Sequence, residues 1–327
     1  MPLELGLIGA TGIAERAILA PAREVSGVAV RAVAARDPVR AKEYAATHGV
    51  SVVHENYAAL LADPDVHAVY ISLHTSGHHR WAVRAALAGK HVIVEKPLCR
   101  TAKEVAEIEF AASEGGVHVI EAVASAGQEW QDAVRAMVLD GRFGRLVRVE
   151  TAMAFAVPAE GNYRNDPGLG GGIFLDAASY WLEALQSTVG LDGVEVEGRS
   201  DFDGPNAVDY VFDGVVRWPD GAEATLSGEF GPSHLADHLF TFERAWVKLR
   251  HFLRPMMGVL PLNLVVIQAD ERKVVAFPAV SYYERQLTRI RDLLTGTEVD
   301  WPGQLSAAVA RIELMDDIHR DARSRHG

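Results

Sequence analysis

The sequence predicts an α/β protein of two domains, the first built on a parallel sheet and the second on an open, mainly antiparallel one. Short apolar runs alternate with helix-like stretches over the first 120 residues, which is the signature of strands joined through crossover helices. Beyond residue 145 longer segments of period two take over, as expected of strands with one buried and one polar face. No internal repeat, low-complexity tract or Ser/Gly linker separates the two halves.

Residues 3–9, LELGLIG, read as a buried strand that runs through Thr11-Gly12 into a helix over 13–24, the first βα unit. Apolar runs at 28–34, 66–73 and 91–94 then alternate with helical stretches at 38–48, 77–88 and 101–114, and a strand at 117–120 closes the series. The boundary is placed near residue 122, giving domains 1–122 and 123–327. In 222–230, Ala222, Ala224, Leu226 and Phe230 point one way while Glu223, Thr225, Ser227 and Glu229 point the other. Residues 145–156, 207–218 and 238–250 follow the same rule, and helices are expected at 172–187, 281–295 and 303–322. The polar face of such a sheet needs water or a partner subunit.

With 327 residues the chain is long enough for two cores, and 49% apolar and 23% charged residues fit a folded globular protein. Acidic residues outnumber basic ones, 44 to 32, and a net charge of −12 opposes binding to nucleic acid or anionic lipid. The one cysteine, Cys99, leaves no intrachain disulfide and fits a reducing compartment, so a cytoplasmic location is expected. Glu4 interrupts what would have to be the apolar core of a signal peptide, and no window has the length of a membrane span.

The loop after the first strand, Gly9-Ala10-Thr11-Gly12-Ile13-Ala14, has one of the three glycines of a dinucleotide fingerprint in strict position. Glycine is wanted there because the backbone must turn tightly and approach a pyrophosphate resting on helix N-terminal amides. An ordinary glycine-containing turn explains the loop equally well, and its position in the first βα unit favours the cofactor. The second strand ends in Ala35-Arg36-Asp37, where an NAD-binding chain commonly places a carboxylate on the ribose. A small residue followed by a guanidinium leaves room for a 2′-phosphate and can grip it, which favours NADP(H); the alternative is that Arg36 is solvated and Asp37 holds the ribose.

Residues 89–97 form a buried strand whose end presents Glu95 and Lys96 before Pro97. Proline restricts Lys96 to extended backbone and ends the strand where open parallel sheets bind ligands. There an ammonium can polarise a carbonyl or acidify a neighbour, although a Glu95–Lys96 ion pair accounts for the same residues. Independently, a helix over 172–187 puts Asp176 and Tyr180 on one face at i, i+4, opposite Phe174, Ala178, Trp181 and Leu185. A carboxylate on so apolar a helix needs partners, and Tyr180 by itself reads as a core aromatic with a satisfied hydroxyl.

The run AGKHVIVEKPLCRT at 88–101, with the Gly9 loop before it, resembles the Gfo/Idh/MocA oxidoreductases. PDVHAVYISLHTSGHH at 64–79 and NYRNDPGLGGGIFLDAASY at 162–180 extend the resemblance to about residue 185. It implies a Rossmann domain followed by a substrate domain whose open sheet pairs subunits into a dimer or tetramer. It implies hydride transfer to or from a carbonyl or secondary alcohol of a sugar, nucleotide-sugar or cyclitol. Cofactor contacts would come from Gly9, Thr11, Gly12, Ile13, Ala35, Arg36, Ser72, His74, His78, Glu95, Lys96 and Glu121. Lys96, Tyr180 and Asp176 would be catalytic, Tyr180 giving the proton and Lys96 holding the oxygen, with Gln128, Arg164 and Asp176 contacting substrate.

The segment EAVASAGQEW at 121–130 departs from the family, with Ala126 and Gln128 where many members have a basic residue and a histidine. Reduction of a C=N bond is therefore a second reading. A dinucleotide-binding regulator is a third, disfavoured because binding alone needs neither Lys96 nor Tyr180. His74, His78 and His79 have no accompanying Cys or carboxylate cluster, so no metal is expected.

Overall fold

A computed structural model describes residues 2–296 and 304–326. The chain divides into two compact units, Met1–Ala124 with Tyr283–Ile312, and Ser125–Tyr282 with Glu313–Gly327.

The first unit is built on six parallel strands: β1 (Leu3–Ile8), β2 (Val28–Ala34), β3 (Val52–Val53), β4 (Ala68–Ile71), β5 (His91–Glu95) and β6 (Val119–Ala122). Their order is β3-β2-β1-β4-β5-β6, so the winding direction reverses between β1 and β4. This is the doubly wound Rossmann arrangement. The crossovers hold α1 (Gly12–Ala14), α2 (Pro21–Glu24), α3 (Pro38–His48), α4 (Tyr57–Ala62), α5 (Thr75–Leu87) and α6 (Ala102–Gly115). Because helices cover both faces, Leu5, Leu7, Val69, Ile71, Val92 and Val94 are all buried, which explains why these strands read as unbroken apolar runs. The helix expected over 13–24 is interrupted by a π turn at Glu15–Leu19, where the Ala20 N–H reaches back to the Glu15 carbonyl. Pro21 follows and has no N–H to continue the regular ladder.

The second unit holds α7 (Glu129–Asp140), β7 (Leu146–Ala156), α8 (Ile173–Thr188), β8 (Glu195–Arg199), β9 (Val211–Arg217), β10 (Glu223–Gly231), β11 (Leu235–Phe242), β12 (Ala245–Leu249), β13 (Asn263–Gln268) and β14 (Glu271–Ala276). Its eight strands run β14-β13-β12-β11-β7-β10-β9-β8. Every neighbouring pair is antiparallel except β7 with β10. One face packs on α8, closely enough that a Cβ on Gly214 would lie 2.9 Å from the Trp181 ring. The other exposes Arg148, Glu150, Asp213, Ser227 and Glu229.

Two strand readings change. The segment 238–250 is two strands, because Glu243-Arg244 turns the chain and Phe242 pairs with Ala245. The segment 207–218 becomes strand only at Val211, since Asn206 and Ala207 take positive φ (54° and 59°) and Asp209 is turned onto the start of α8.

A contiguous division at residue 122 also changes. Helix α9 (Tyr282–Leu294) and the first two turns of α10 (Leu305–His326) group with the parallel sheet. Arg311 donates to Glu121, Gln304 bridges to Ile120, and Arg291 donates to the Ser26 carbonyl. The Gln286 amide oxygen, turned toward the chain, accepts from the N–H groups of Val123 and Ala124. Position 303, the expected start of α10, lies outside the described residues. Among the described residues no helix is long and apolar enough to cross a membrane.

Candidate active site

The carboxyl edge of the parallel sheet, at the β1/β4 reversal, is where open α/β sheets take ligands. Gly9 has φ 116°, and a Cβ there would stand 3.1 Å from both oxygens of Ser72, so only glycine allows the turn. Thr11 caps α1, its Oγ accepting the Ala14 N–H at 3.2 Å, and its hydroxyl donates to the Ser72 Oγ at 2.8 Å. Thr11 and Ser72 thus brace the loop. A Cβ on Gly12 would meet no atom within 4 Å, which leaves open space before the free amides of the helix start. Ile13 lies half-buried beside it. A pyrophosphate fits this cradle.

At the end of β2, Ala35 is buried and Arg36 exposed, while the Asp37 carboxylate accepts the Val39 N–H at 2.9 Å and caps α3. The Tyr57 hydroxyl sits against the Arg36 backbone; burial raises this phenol's pKa. Arg40, four residues beyond Arg36, donates from Nε to the Ala10 carbonyl at 3.1 Å, and the Tyr44 hydroxyl donates to the Thr11 carbonyl at 3.0 Å. Sequence reasoning missed Arg40, although a second basic residue in the first turn of the helix that follows Arg36 was a signal for it.

At the end of β5 stands Lys96, half-buried, before a cis peptide bond to Pro97. Tyr70 donates to the Glu95 carboxylate; burial pushes the Glu95 pKa up against the opposing effects of that bond and of the Lys96 and Arg16 charges. His78, assigned to the cofactor by resemblance, is buried with its ring nitrogens 2.8 Å from the Pro97 carbonyl and 3.0 Å from the Leu73 carbonyl. Burial lowers its pKa, and a neutral ring donates to only one of them. Its side chain therefore serves the backbone that holds Lys96. His74, just before α5, meets the Ser76 hydroxyl at 2.9 Å. Glu121 also turns inward: its Oε1 accepts the Leu98 N–H at 3.2 Å and its Oε2 the Arg311 Nη2 at 2.6 Å.

In the second unit the structure brings Arg164, Asp176 and Tyr180 together. Arg164 leaves a short 3₁₀ turn, Tyr163–Asn165, and forks onto Asp176 through Nε–Oδ2 (2.7 Å) and Nη2–Oδ1 (3.2 Å). Burial opposes the guanidinium charge, yet the Asp176 charge and hydrogen bonds hold the Arg164 pKa above its usual range. Tyr180 follows one turn after Asp176 on α8, buried. The Gln128 N–H donates to Gln131 Oε1 of α7 at 3.0 Å and its side-chain amide to the Ala126 carbonyl at 3.3 Å. Among the described residues no group of three or more His, Cys, Asp or Glu is placed to hold a metal ion.

Residues 3–123 match the oxidoreductase family with the NAD-binding Rossmann fold, GFO/IDH/MocA, and residues 132–235 match the GFO/IDH/MocA C-terminal domain. The D-xylose 1-dehydrogenase (NADP(+)) 2 of Haloferax volcanii is 31% identical over 227 residues, 69% of this chain and 69% of that one. The chain belongs to the Gfo/Idh/MocA family. Like its relatives it is an oxidoreductase with an NAD(P)-binding domain. Another family member, the dTDP-3,4-didehydro-2,6-dideoxy-alpha-D-glucose 3-reductase of Saccharopolyspora spinosa, is 29% identical over 310 residues, 92% of this chain and 90% of that one. A 3-ketoreductase from Actinomadura kijaniata, solved with NADP and TDP-benzene, has the same fold, with a TM-score of 0.90 at 23% identity over 98% of each chain.

Proposed function

We propose that the chain transfers hydride reversibly between NADP(H) and a carbonyl or secondary alcohol carbon of a sugar or nucleotide-linked sugar. The observation that carries this reading is the buried face of α8. A phenol and an ion-paired carboxylate stand there, within the stretch matched by the family's C-terminal domain. The preference for NADP(H) is supported by Asp37, whose carboxylate is spent on α3, and by Arg36 and Arg40 at the same strand end.

Bound over the Gly9–Gly12 cradle, the nicotinamide dinucleotide supplies or accepts the hydride. In reduction, Tyr180 gives its proton to the oxygen of the reduced carbon, and the Lys96 ammonium donates to that oxygen and stabilises its charge. Asp176, held by Arg164, fixes the polar geometry of the α8 face. The first unit would hold the dinucleotide and the second the sugar, with the open sheet pairing subunits in a homo-oligomer. The buried thiol of Cys99, whose pKa burial pushes up, suits the cytoplasm.

The test is oxidation of NADPH and NADH with a panel of ketosugars, nucleotide-linked ketosugars and cyclic imines. Turnover of NADPH with a ketosugar is expected. Turnover with imines alone would overturn the substrate class, and equal efficiency with NADH would overturn the cofactor preference.

A further inference from the structure

The backbone of Arg164 is as constrained as its side chain. Its N–H donates to the Asn162 side chain at 3.0 Å, and its carbonyl accepts the Gly172 N–H at 3.0 Å. A Cβ on Gly171 would lie 2.5 Å from that carbonyl oxygen. The turn carrying Arg164 is therefore packed directly on the glycine run that starts α8, so both ends of the Arg164–Asp176 pair are fixed by one short segment. The guanidinium also lies over the Tyr163 ring, 4.8 Å from its centroid. The Nε/Nη2 edge of its fork is taken up by Asp176. The Tyr180 phenol lies within electrostatic range of the same guanidinium.

A phenol that donates its proton becomes an anion. A bare carboxylate one helical turn away would oppose that charge, and in a half-desolvated setting one close like charge shifts a titration by about one to two pH units. We propose that Arg164 is a positioning residue for proton transfer: it neutralises Asp176, so that negative charge on the Tyr180 oxygen forms beside an ion pair and not beside a lone carboxylate. Arg164 then serves the phenol and does not read substrate hydroxyls. This rests on the reading of Tyr180 as the proton donor.

The test compares the full-length wild type with Arg164→Gln, Arg164→Lys, Asp176→Asn and the Arg164→Gln/Asp176→Asn double variant in the reductive direction. Arg164→Gln is expected to move the alkaline limb of the kcat profile up by about one to two pH units, and to cut kcat near neutrality by about 10- to 100-fold. Arg164→Lys, which keeps the charge, should leave the limb near its wild-type position. The double variant should bring it back, because the carboxylate to be neutralised is gone. If Arg164→Gln raises the substrate KM and leaves the limb where it was, Arg164 reads substrate and the proposal is overturned. The Tyr180 titration is also read without turnover, by NMR of ring-labelled tyrosine assigned with Tyr180→Phe. An unmoved titration in Arg164→Gln overturns the electrostatic coupling. Full activity of Tyr180→Phe would instead overturn the proton-donor reading, so the two failures are distinguishable.

Discussion

Arg311 donates to Glu121 across 2.6 Å with both side chains fully buried, and this pair fastens a helix near the end of the chain to the edge strand of the parallel sheet. The second Glu121 oxygen holds the Leu98 N–H, two residues beyond Lys96. Burying two charges costs solvation that their attraction only roughly offsets, yet removing one partner leaves the other charge stranded, at about 3–5 kcal/mol. Glu121→Ala is expected to lower the unfolding free energy by about that amount in urea titrations. A fragment of residues 1–122 lacks Arg311 and Gln286 and should show no cooperative melt by circular dichroism. A cooperative transition in that fragment would contradict the role given to the pair.

The proposed preference for NADP(H) rests on a different strand end. Arg36→Ala should raise the NADPH dissociation constant by about tenfold or more, the loss of one charge-assisted contact worth roughly 1.5–3 kcal/mol, and leave NADH affinity nearly unchanged. Arg40→Ala should weaken both cofactors, because Arg40 also holds the Ala10 carbonyl of the glycine loop. Fluorescence titrations with the two nucleotides separate these effects.

What was legible in the sequence follows from what local pattern encodes. The expected limits of strand β2 and helix α3 are the observed ones, because a short run rich in β-branched and small apolar residues and a proline-started helix closed by a left-handed Gly49 both leave strong local signals. Helix α7 is not among the expected helices, although Trp130, Val134 and Met137 recur at helical spacing, because Gln128 before it is not one of the residues that usually mark a helix start. The inward turn of Glu121 and His78 was not legible. Their partners, Arg311 for one and backbone carbonyls for the other, are set by tertiary packing, and nothing near Glu121 in sequence announces a residue 190 positions away. The Asp176–Tyr180 spacing was legible as a helix face, whereas the fork from Arg164 needed the turn that precedes the glycine run.

Tyr180→Phe should reduce turnover by about 10²–10⁴-fold while leaving NADPH binding nearly intact, since a positioned proton donor contributes about that factor and the phenol is not needed to hold the dinucleotide. Lys96→Met should be at least as damaging, because it withdraws both a donor and a positive charge. If the two groups act as one unit, the double variant will be little worse than the poorer single one. Steady-state kinetics with a ketosugar, beside NADPH titrations of each variant, decide the matter; near-normal kcat in Tyr180→Phe would make the tyrosine a packing residue.

The start of α8 supplies a pH-dependent prediction. Asp209 accepts the Phe174 N–H on Oδ2 at 2.7 Å, and its carbonyl accepts the Ile173 N–H at 2.9 Å. Burial pushes its pKa from 3.8 up to about 7, although the α8 amides and the Arg323 charge favour the ionised form. Between those values the folded protein keeps a proton that the unfolded chain has released. The native state then binds more protons than the unfolded state, so the stability linked to this group is complete below a pH of about 4 and falls as pH rises toward about 7, by at most about 1.4 kcal/mol per pH unit. Asp209→Asn keeps an acceptor for Phe174 and removes the titration. Urea unfolding of both proteins across that window should therefore show the wild type losing stability relative to the variant as pH rises. Parallel curves would mean that Asp209 is ionised throughout and caps α8 as a carboxylate. Gly172→Ala should be more damaging than Asp209→Asn at every pH, because φ is 105° there and the added Cβ would stand 2.0 Å from the Asp209 Oδ1.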